Sequence, residues 1–321
     1  MRPLLKVENL QVSFPWKNKS IKAVDGVSFE VSDKKIIALV GESGSGKSVT
    51  ALSIMGLIAY EGGRVEGGEI LFQGQELLKM TDRRLSKIRG KDIAMIYQDP
   101  MTSLNPGISV GEQIRESLLI HKIASRKESK QTALNLMRDV GIPDADQRYG
   151  NLPDSFSGGM RQRIMIAMAL SCQPKLLIAD EPTTALDVSL QADIMNTLQE
   201  MKNRIGMSIL LITHDLGLVA QYADSVVVMY CGKVMEESPV DMLFEKPLHP
   251  YTVGLINCIP RIDTTQDQLF YIPGYVPSIY DYPTGCRFHN RCSKAEPICR
   301  EKMPELINID DDRKVRCWLY Q

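Results

Sequence analysis

The sequence lacks a long hydrophobic run and an excess of charge of either sign, and we expect no secretory leader. Its 321 residues carry 38 Lys and Arg against 39 Asp and Glu, a formal net charge of −1, so we expect no nucleic-acid partner. The longest apolar runs, such as LLIAD and ILLIT, have the length of buried strands and fall far short of the ~20 residues that cross a bilayer. The N-terminus MRPLLKVENLQVSF alternates and carries charge, unlike a signal peptide. We therefore expect a cytosolic protein, in which structural disulfides are disfavoured.

The sequence has instead an alternating α/β pattern. Residues 4–14 and 22–31 and the runs KKIIALV, KLLIAD, MSILLIT and SVVVMY are typical of strands, and residues 110–168 have helical spacing. Glycines in GGRVEGGEILFQGQEL indicate a short antiparallel layer. The pattern predicts an α/β core with parallel strands, an antiparallel layer and a helical insertion over about 110–168. It breaks near residues 245–250, which predicts one domain over 1–244 and a small extension over 245–321.

A phosphate-binding loop is the strongest single motif. GESGSGKS, residues 41–48, matches G-x-x-x-x-G-K-[ST] in full and lies between a predicted strand and a predicted helix. Glycines let the backbone wrap around phosphates, the lysine reaches the β- and γ-phosphates and the last serine binds Mg²⁺. The predicted nucleotide-binding residues of this segment are Gly41, Ser43, Gly44, Gly46, Lys47, Ser48 and Val49.

Two acids follow the buried strand LLIAD. Asp180 is the last residue of the strand, and we expect it to bind Mg²⁺, as an acid does in other phosphate-loop enzymes. Glu181 comes next. Because successive residues at a strand end point in different directions, Glu181 can polarise a water while Asp180 binds the metal. These residues predict a hydrolase for nucleoside triphosphates.

A third motif, FSGGMRQR at residues 156–163, resembles the signature of the ATP-binding-cassette (ABC) ATPases, which is close to LSGGQ-x-[QR]. A Ser-Gly-Gly turn that opens a helix is itself an anion site. Here Phe156 replaces the family's leucine and Met160 its first glutamine, while the serine and both glycines remain. The resemblance covers essentially the whole chain, and it implies a P-loop NTPase fold, the ABC nucleotide-binding domain, with a RecA-like core, an antiparallel β layer, a helical subdomain and a small Cys-rich C-terminal extension.

The resemblance also implies the roles of individual residues. Gln98 would be the Q-loop glutamine, which contacts Mg²⁺ and water, and Asp187 would belong to the D-loop. Glu181 would be the general base and His214 the switch histidine on the γ-phosphate. The signature residues Ser157, Gly158 and Gly159 would cap the ATP of a partner subunit. The aromatic residue that stacks on adenine would be Phe14 or Trp16.

The phrases QDPMTSLNP, GIPD, ADEPTTALDV, ITHDLGLVA and HPYT narrow the resemblance to the ATPases of dipeptide and oligopeptide importers, in particular their dipeptide-type D subunit. This implies a peripheral subunit at the cytoplasmic face of the membrane that works with a second, different ATPase subunit, two transmembrane permeases and a peptide-binding protein. Two other readings stay open. One is an importer of the same family for nickel or glutathione, and the other is a soluble ABC ATPase.

Four of the seven cysteines, Cys286, Cys292, Cys299 and Cys317, lie in a short C-terminal segment with the spacing C-x5-C-x6-C-x17-C. Buried small hydrophobes, a disulfide set, a zinc site and an iron–sulfur cluster all remain open on spacing alone. Zinc usually uses tighter pairs, whereas a four-iron cluster tolerates irregular gaps. His289 lies inside the segment as a spare ligand. The resemblance to peptide-importer ATPases implies a [4Fe-4S] cluster on these four cysteines, with Zn²⁺ as the alternative.

Overall fold

A computed structural model of the chain describes residues 2–17, 19–184, 186–259 and 270–321. Within these ranges no helix is both long enough and apolar enough to cross a membrane. The residues cluster into two compact units. The first comprises residues 1–32, 36–78 and 212–321, and the second comprises residues 33–35 and 79–211.

The strands, in chain order, are β1 (Leu5–Trp16), β2 (Lys19–Val31), β3 (Ile36–Val40), β4 (Arg64–Phe72), β5 (Gln75–Glu76), β6 (Ile93–Ile96), β7 (Leu176–Asp180), β8 (Ser208–Thr213), β9 (Ser225–Tyr230), β10 (Lys233–Pro239), β11 (Ile307–Asn308) and β12 (Lys314–Val315). The central strands β3, β7 and β8 are buried along their whole length. They are continuous apolar runs because a parallel sheet is covered on both faces.

The helices are α1 (Lys47–Ile54), α2 (Asp82–Ile88), α3 (Pro100–Ser103), α4 (Val110–Ile120), α5 (Arg126–Asp139), α6 (Ala145–Arg148), α7 (Gly158–Leu170), α8 (Val188–Ile205), α9 (Leu216–Tyr222), α10 (Val240–Glu245), α11 (Pro250–Asn257) and α12 (Pro297–Glu301). Single 3₁₀ turns occur at Ile58–Glu61, Pro153–Ser155, His289–Arg291 and Trp318–Tyr320. The predicted boundary between residues 244 and 245 lies inside α10, and the two-domain division stays a prediction.

The first unit contains an antiparallel sheet and most of a second sheet. Strands β2, β1, β4 and β5 pair in that order, all antiparallel. In the second sheet β3 and β9 are parallel neighbours, and β10 continues the sheet antiparallel to β9. Helix α1 follows β3 directly through the phosphate loop, residues 41–46. The fold therefore holds this loop at the carboxyl end of a buried parallel strand.

The second unit joins parallel strands to a group of helices. Strands β6 and β7 pair in parallel, with Ile93 opposite Leu176 and Ile96 opposite Ala179. Helices α3 to α8 follow in the same unit, and α7 contacts β6, α4 and α5. Helix α5 begins with a capping box in which Ser125 and Glu128 each bond the other's backbone N–H, as expected of a well-defined helix start.

The C-terminal extension is better anchored than its composition suggests. Strand β12 pairs with β10 and with β11, so the end of the chain continues the sheet of the first unit. Leu248, Val315 and Cys317 form a small buried cluster. The ring of Phe288, 2% exposed, lies 5.3 Å from that of Tyr230. The extension therefore has a small core of its own, and it also packs against β9 through the rings of Phe288 and Tyr230.

Strand and helix boundaries also departed from the sequence pattern. The sequence pattern ended one strand at residue 14 and began the next at residue 22, whereas β1 runs to Trp16 and β2 begins at Lys19. Strand β10 and helices α2, α10 and α11 had no counterpart in the prediction. The sequence of β10 is KVMEESP, with two adjacent glutamates. It shows no clear alternation of apolar and polar residues, so which of its residues are buried depends on the neighbouring strands.

Candidate functional site

The phosphate loop contains three glycines whose backbone angles are unfavourable for residues with a side chain. Gly41, Gly44 and Gly46 have φ values of 153°, 79° and 101°, in the range that glycine adopts readily. A Cβ on Gly41 would lie 2.1 Å from the carbonyl oxygen of Met229, and one on Gly46 would lie 2.9 Å from that of Ala23. Gly44 has no such neighbour within 4 Å. The loop is therefore packed at its two ends and open at its middle, where backbone N–H groups can reach an anion.

Lys47 supplies the positive charge of the loop. It is 6% exposed, and its ammonium donates hydrogen bonds to two carbonyl oxygens at the start of the loop, at 2.7 and 3.1 Å. Ser43 is exposed, while Ser48 and Val49 are half-buried in the first turn of α1. An ammonium, open backbone N–H groups and a helix N-terminus in one loop fit a polyphosphate.

His214 lies just beyond β8 and is exposed. It lines a cavity of about 490 Å³ together with Gly41 and Glu42 of the phosphate loop and with Tyr271 and Arg291 of the extension. The structure thus brings the predicted switch histidine and the first residues of the phosphate loop to one surface of the first unit.

The two aromatic candidates for adenine stacking have different surroundings. Trp16 is 46% exposed, and its ring centroid lies 4.3 Å from that of Tyr280. Phe14 is half-buried, and a Cβ on Gly63 would lie 3.1 Å from its ring. Trp16 is already engaged by another ring, and the choice between the two stays a prediction.

In the second unit the predicted acids and the Q-loop glutamine come together. Asp180 ends β7 and is 4% exposed. The carboxylate of Glu181 accepts a hydrogen bond from Gln98 Nε2 at 3.0 Å and one from Thr184 Oγ1 at 2.8 Å. Gln98 lies two residues beyond β6, the parallel neighbour of β7, so both segments leave the sheet at the same edge. The backbone of Glu181 is left-handed, with φ of 48°, an unusual conformation for a residue with a side chain.

The signature turn opens helix α7. Ser157 is the N-cap, and its hydroxyl accepts a hydrogen bond from the N–H three residues on at 3.4 Å. Gly158 is exposed, whereas a Cβ on Gly159 would lie 2.4 Å from a methyl of Leu190. Phe156, where the ABC signature has leucine, is 3% exposed. The replacement therefore keeps a buried apolar residue before the turn, while Ser157 and Gly158 at the start of the helix are exposed.

Asp187 has a structural task in addition to its predicted one. Its carboxylate accepts hydrogen bonds from Ser189 Oγ at 2.6 Å and from the Leu190 N–H at 2.9 Å, and so caps α8. These bonds, that from Ser189 first, hold the pKa of Asp187 below its usual value. Ala185, in the same predicted D-loop, lies outside the described residues.

The four C-terminal cysteines gather in one region of the first unit. Cys286, Cys299 and Cys317 are buried and Cys292 is half-buried. The Cys286 N–H donates to the Cys299 carbonyl at 2.8 Å. Burial first, and then the charges of the other three thiols, raise the pKa of Cys286 to about 11. All seven cysteines of the chain are described, and all are free thiols.

The gathered thiols do not form a metal site as they stand. In the described ranges no three side chains of His, Cys, Asp and Glu come together as ligands of a metal ion. His289 is occupied otherwise, with its Nδ1 2.8 Å from the Cys286 carbonyl oxygen. The predicted ligand set is thus brought into one region but not into chelating positions, because neutral buried thiols pack as small apolar groups.

Sequence reasoning missed one contact between the extension and the phosphate loop. Arg291 forms a two-bond ion pair with Glu42, the second residue of the loop, at 2.6 and 3.0 Å. The Glu42 N–H donates to the hydroxyl of Tyr251 at 3.0 Å. Tyr251 belongs to the HPYT phrase, and Arg291 lies next to Cys292. Both motifs were visible in the sequence, but nothing in it paired them with the loop.

A phosphate loop between a buried parallel strand and a helix, together with acids at a strand end, defines a P-loop nucleoside triphosphatase. Comparison with known families gives the finer class. The profile described as "ABC transporter" matches residues 24–184, and that described as "Oligopeptide/dipeptide transporter, C-terminal region" matches residues 235–299. The chain belongs to the ABC transporter family, and it is an ATPase of that family.

Individual relatives agree with this assignment. The chain is 51% identical over 321 residues to the oligopeptide transport ATP-binding protein AppD of Bacillus subtilis (strain 168), covering 100% of this chain and 98% of the relative. It is 47% identical over 319 residues to the dipeptide transport ATP-binding protein DppD of the same strain, covering 99% and 95%. The dimeric ATP-binding cassette MJ0796, solved in a post-hydrolysis state with ADP and Pi, matches with a TM-score of 0.66 and 25% identity over 74% of this chain and 98% of that chain. These matches confirm the predicted fold class.

Proposed function

We propose that the chain is the ATP-hydrolysing subunit of an importer that carries dipeptides or oligopeptides across the cytoplasmic membrane. The observation that carries the proposal is similarity along the full length, including the C-terminal region, to relatives named for peptide transport. The subunit would lie at the cytoplasmic face of the membrane. Its partners would be two transmembrane permeases, a peptide-binding protein and a second, homologous ATPase subunit.

The proposed roles in the first unit follow from the charge and openness of the phosphate loop. Lys47 neutralises the β- and γ-phosphates, and the exposed N–H groups around Gly44 bind their oxygens. His214 contacts the γ-phosphate, and Phe14 or Trp16 stacks on adenine. Binding here is mostly positioning and charge stabilisation, as in phosphoryl transfer generally.

The proposed roles in the second unit concern Mg²⁺ and the attacking water. Asp180 and Gln98 would be the Mg²⁺ ligands of this unit, and Ser48 would be the Mg²⁺ ligand of the phosphate loop. Mg²⁺, when bound, would neutralise charge on the phosphate oxygens. Glu181 accepts the proton of the attacking water. Its hydrogen bond from Gln98 ties the base to the segment that follows β6, which we propose faces the permease.

The exposed signature turn is proposed to act on the ATP of the second ATPase subunit. Ser157 and Gly158 are exposed at the N-terminus of α7, and we propose that they bind this ATP together with Gly159 and Asp187. Two chains closed around two ATP molecules favour one transporter conformation, and hydrolysis releases it, which is a population shift driven by a ligand.

We also propose that Cys286, Cys292, Cys299 and Cys317 hold a [4Fe-4S] cluster, with Zn²⁺ as the alternative. Four thiols that interact electrostatically with one another are a donor set suited to either metal. Metal binding deprotonates thiols and couples to local folding, so the side chains would rotate into ligand positions. Protein purified anaerobically from its own cells should contain about four iron per chain and absorb visible light. Stoichiometric zinc without iron would favour the alternative, and neither metal would reject both.

The central experiment replaces Glu181 by Gln in the assembled transporter in lipid vesicles. We expect ATP turnover to fall by at least ~100-fold, the usual contribution of a general base, and peptide uptake to stop while ATP binding persists. Glu200→Gln, at an exposed position on α8, is the matched control and should leave turnover unchanged. Turnover of the Glu181 variant within about twofold of the unmodified protein would refute the base assignment.

A second measurement identifies the cargo. Calorimetry of the transporter's binding protein with dipeptides, longer peptides, nickel and glutathione separates the possible substrates. Heat released with peptides and not with the other two ligands supports the proposal. Binding of nickel or glutathione alone would leave the ATPase assignment intact and overturn the peptide assignment.

A further inference from the structure

Arg291 connects the cysteine-rich segment to the phosphate loop. Its Nη1 lies 2.6 Å from Glu42 Oε2 and its Nη2 lies 3.0 Å from Glu42 Oε1. The arginine side chain is 5% exposed and that of the glutamate 28% exposed. A planar guanidinium that meets a carboxylate through two bonds fixes orientation as well as distance.

The same loop residue is held a second time through its backbone. The Glu42 N–H donates to Tyr251 Oη at 3.0 Å. Tyr251 is fully buried, and its ring lies 4.7 Å from that of Tyr230 and 5.2 Å from that of Phe288. Main chain and side chain of Glu42 are thus both fixed by residues that follow the ABC core in sequence.

Glu42 transmits this restraint to the phosphate-binding lysine. The carbonyl oxygen of Glu42 accepts a hydrogen bond from Lys47 Nζ at 3.1 Å, beside the one that Gly41 accepts at 2.7 Å. A change in the position of Glu42 therefore moves one of the groups that orient the ammonium. Arg291 reaches the lysine through a single intervening residue.

Arg291 is itself restrained on its other sides. Its Nε donates to the carbonyl oxygen of Pro273 at 3.1 Å, and its Nη1 donates to Tyr230 Oη at 3.3 Å. The guanidinium carbon lies 5.8 Å from the ring centre of Tyr230 and 5.9 Å from that of Phe288. A group held by this many contacts acts as a fixed point and not as a mobile surface charge.

We propose that Arg291 is a positioning residue for ATP binding, which acts through Glu42 and does not touch the nucleotide. It does so in two ways. It fixes the first turn of the phosphate loop, and it neutralises a carboxylate that would otherwise repel the phosphates of ATP. The inference rests on the proposed role of the loop in binding ATP, and it makes the cysteine-rich segment a part of that site.

Arg291→Met in the assembled transporter tests the proposal. We expect the KM for ATP and the Kd for Mg-ATP to rise by about 10-fold or more, while kcat changes by less than about threefold, since the base and the metal ligands are untouched. Arg291→Lys should recover part of the affinity, because it restores the charge but not the two-bond geometry. Arg300→Met, at an exposed arginine on α12 of the same segment, is the matched control and should bind ATP normally.

A double variant separates positioning from general damage. Adding Glu42→Gln to Arg291→Met removes the unpaired carboxylate, so the KM for ATP should fall back toward that of the unmodified protein by about threefold or more. This readout also applies if the single variant folds poorly.

Two results would overturn the inference. One is that Arg291→Met, in folded protein, changes the KM for ATP by less than about twofold. The other is that the double variant has a KM for ATP no lower than that of the single variant. If the unmodified transporter itself hydrolyses no ATP, the proposed function fails first, so the two failures are distinguishable.

Discussion

The buried imidazole of His249 offers a quantitative test of how the extension is packed. His249 is 1% exposed and caps α11, where its Nδ1 accepts the Tyr251 N–H at 2.9 Å. Only a ring without a proton on Nδ1 accepts this bond, so the proton is on Nε2. Burial, and then the charge of Arg316, lower the pKa of His249 from 6.5 to about 3. The buried carboxylate of Glu236 accepts hydrogen bonds from the backbone N–H groups of Leu248 and His249, each at 2.8 Å.

The lowered pKa makes the protein less stable in acid. Between the two pKa values the unfolded chain binds a proton at His249 that the folded chain does not, so this group stabilises the fold above the unfolded value of 6.5. That contribution is lost as the pH falls toward the folded value. Over the whole interval between the two pKa values the free energy of unfolding falls by about 5 kcal/mol. The fall down to about pH 5 is about 2 kcal/mol.

Urea unfolding at about pH 8 and about pH 5 measures this loss. Both tryptophans, Trp16 and Trp318, lie in the first unit with His249, so their fluorescence reports the relevant transition. His249→Asn is the matched variant, because Asn is a good N-cap that does not titrate. The free energy of unfolding should fall between the two pH values by about 2 kcal/mol more in the unmodified protein than in the variant.

Equal losses in the two proteins would refute this reasoning. They would mean either that the imidazole is protonated in the folded state or that α11 opens before the ring takes up its proton. A larger loss in the variant would contradict the direction of the pKa shift itself.

Two further outcomes follow from the packing. Gly41→Ala should abolish ATP binding in an equilibrium binding assay, because its Cβ would lie 2.1 Å from the Met229 carbonyl oxygen. Gly44→Ala places its Cβ in open space and should lower stability by only about 1 kcal/mol. Normal ATP binding by the Gly41 variant would contradict the close packing. Glu236→Ala should lower the free energy of unfolding by about 2–6 kcal/mol, because it leaves two buried N–H groups at the start of α11 unpaired, and a loss below about 1 kcal/mol in urea titration would show that water satisfies them.

The local sequence pattern predicted those elements whose secondary structure depends little on the neighbouring elements. The strands β3, β7 and β8 are continuous apolar runs, and α5 and α8 have both periodicity and caps. The extension, together with strand β10 that precedes it, was the reverse case. Strand β10 and helix α11 lack such patterns, and β11 and β12 are two residues each, so their pairing depends on the sheet edge that receives them.

The candidate site shows the same division. The residues of the phosphate loop, the acids and the signature turn follow from local chemistry, since glycine, lysine and serine at fixed spacing bind phosphate wherever a strand and a helix flank them. The hydrogen bond from Gln98 to Glu181 follows from the parallel pairing of β6 and β7, whereas the sequence pattern predicted parallel strands without their order. The four cysteines were predicted to come together, but their chelating geometry was not found.

The class of enzyme, the phosphate-loop motif and the cluster of four cysteines could thus be recognised from the sequence, because each is written in a contiguous segment. The contacts of the extension, in contrast, are known only from the fold. Arg291 and Glu42 are 249 residues apart along the chain, and Tyr251 and Glu42 are 209 apart. No local pattern encodes such pairs, since their meeting depends on the packing of β10, α11 and Phe288 against the core that carries the phosphate loop.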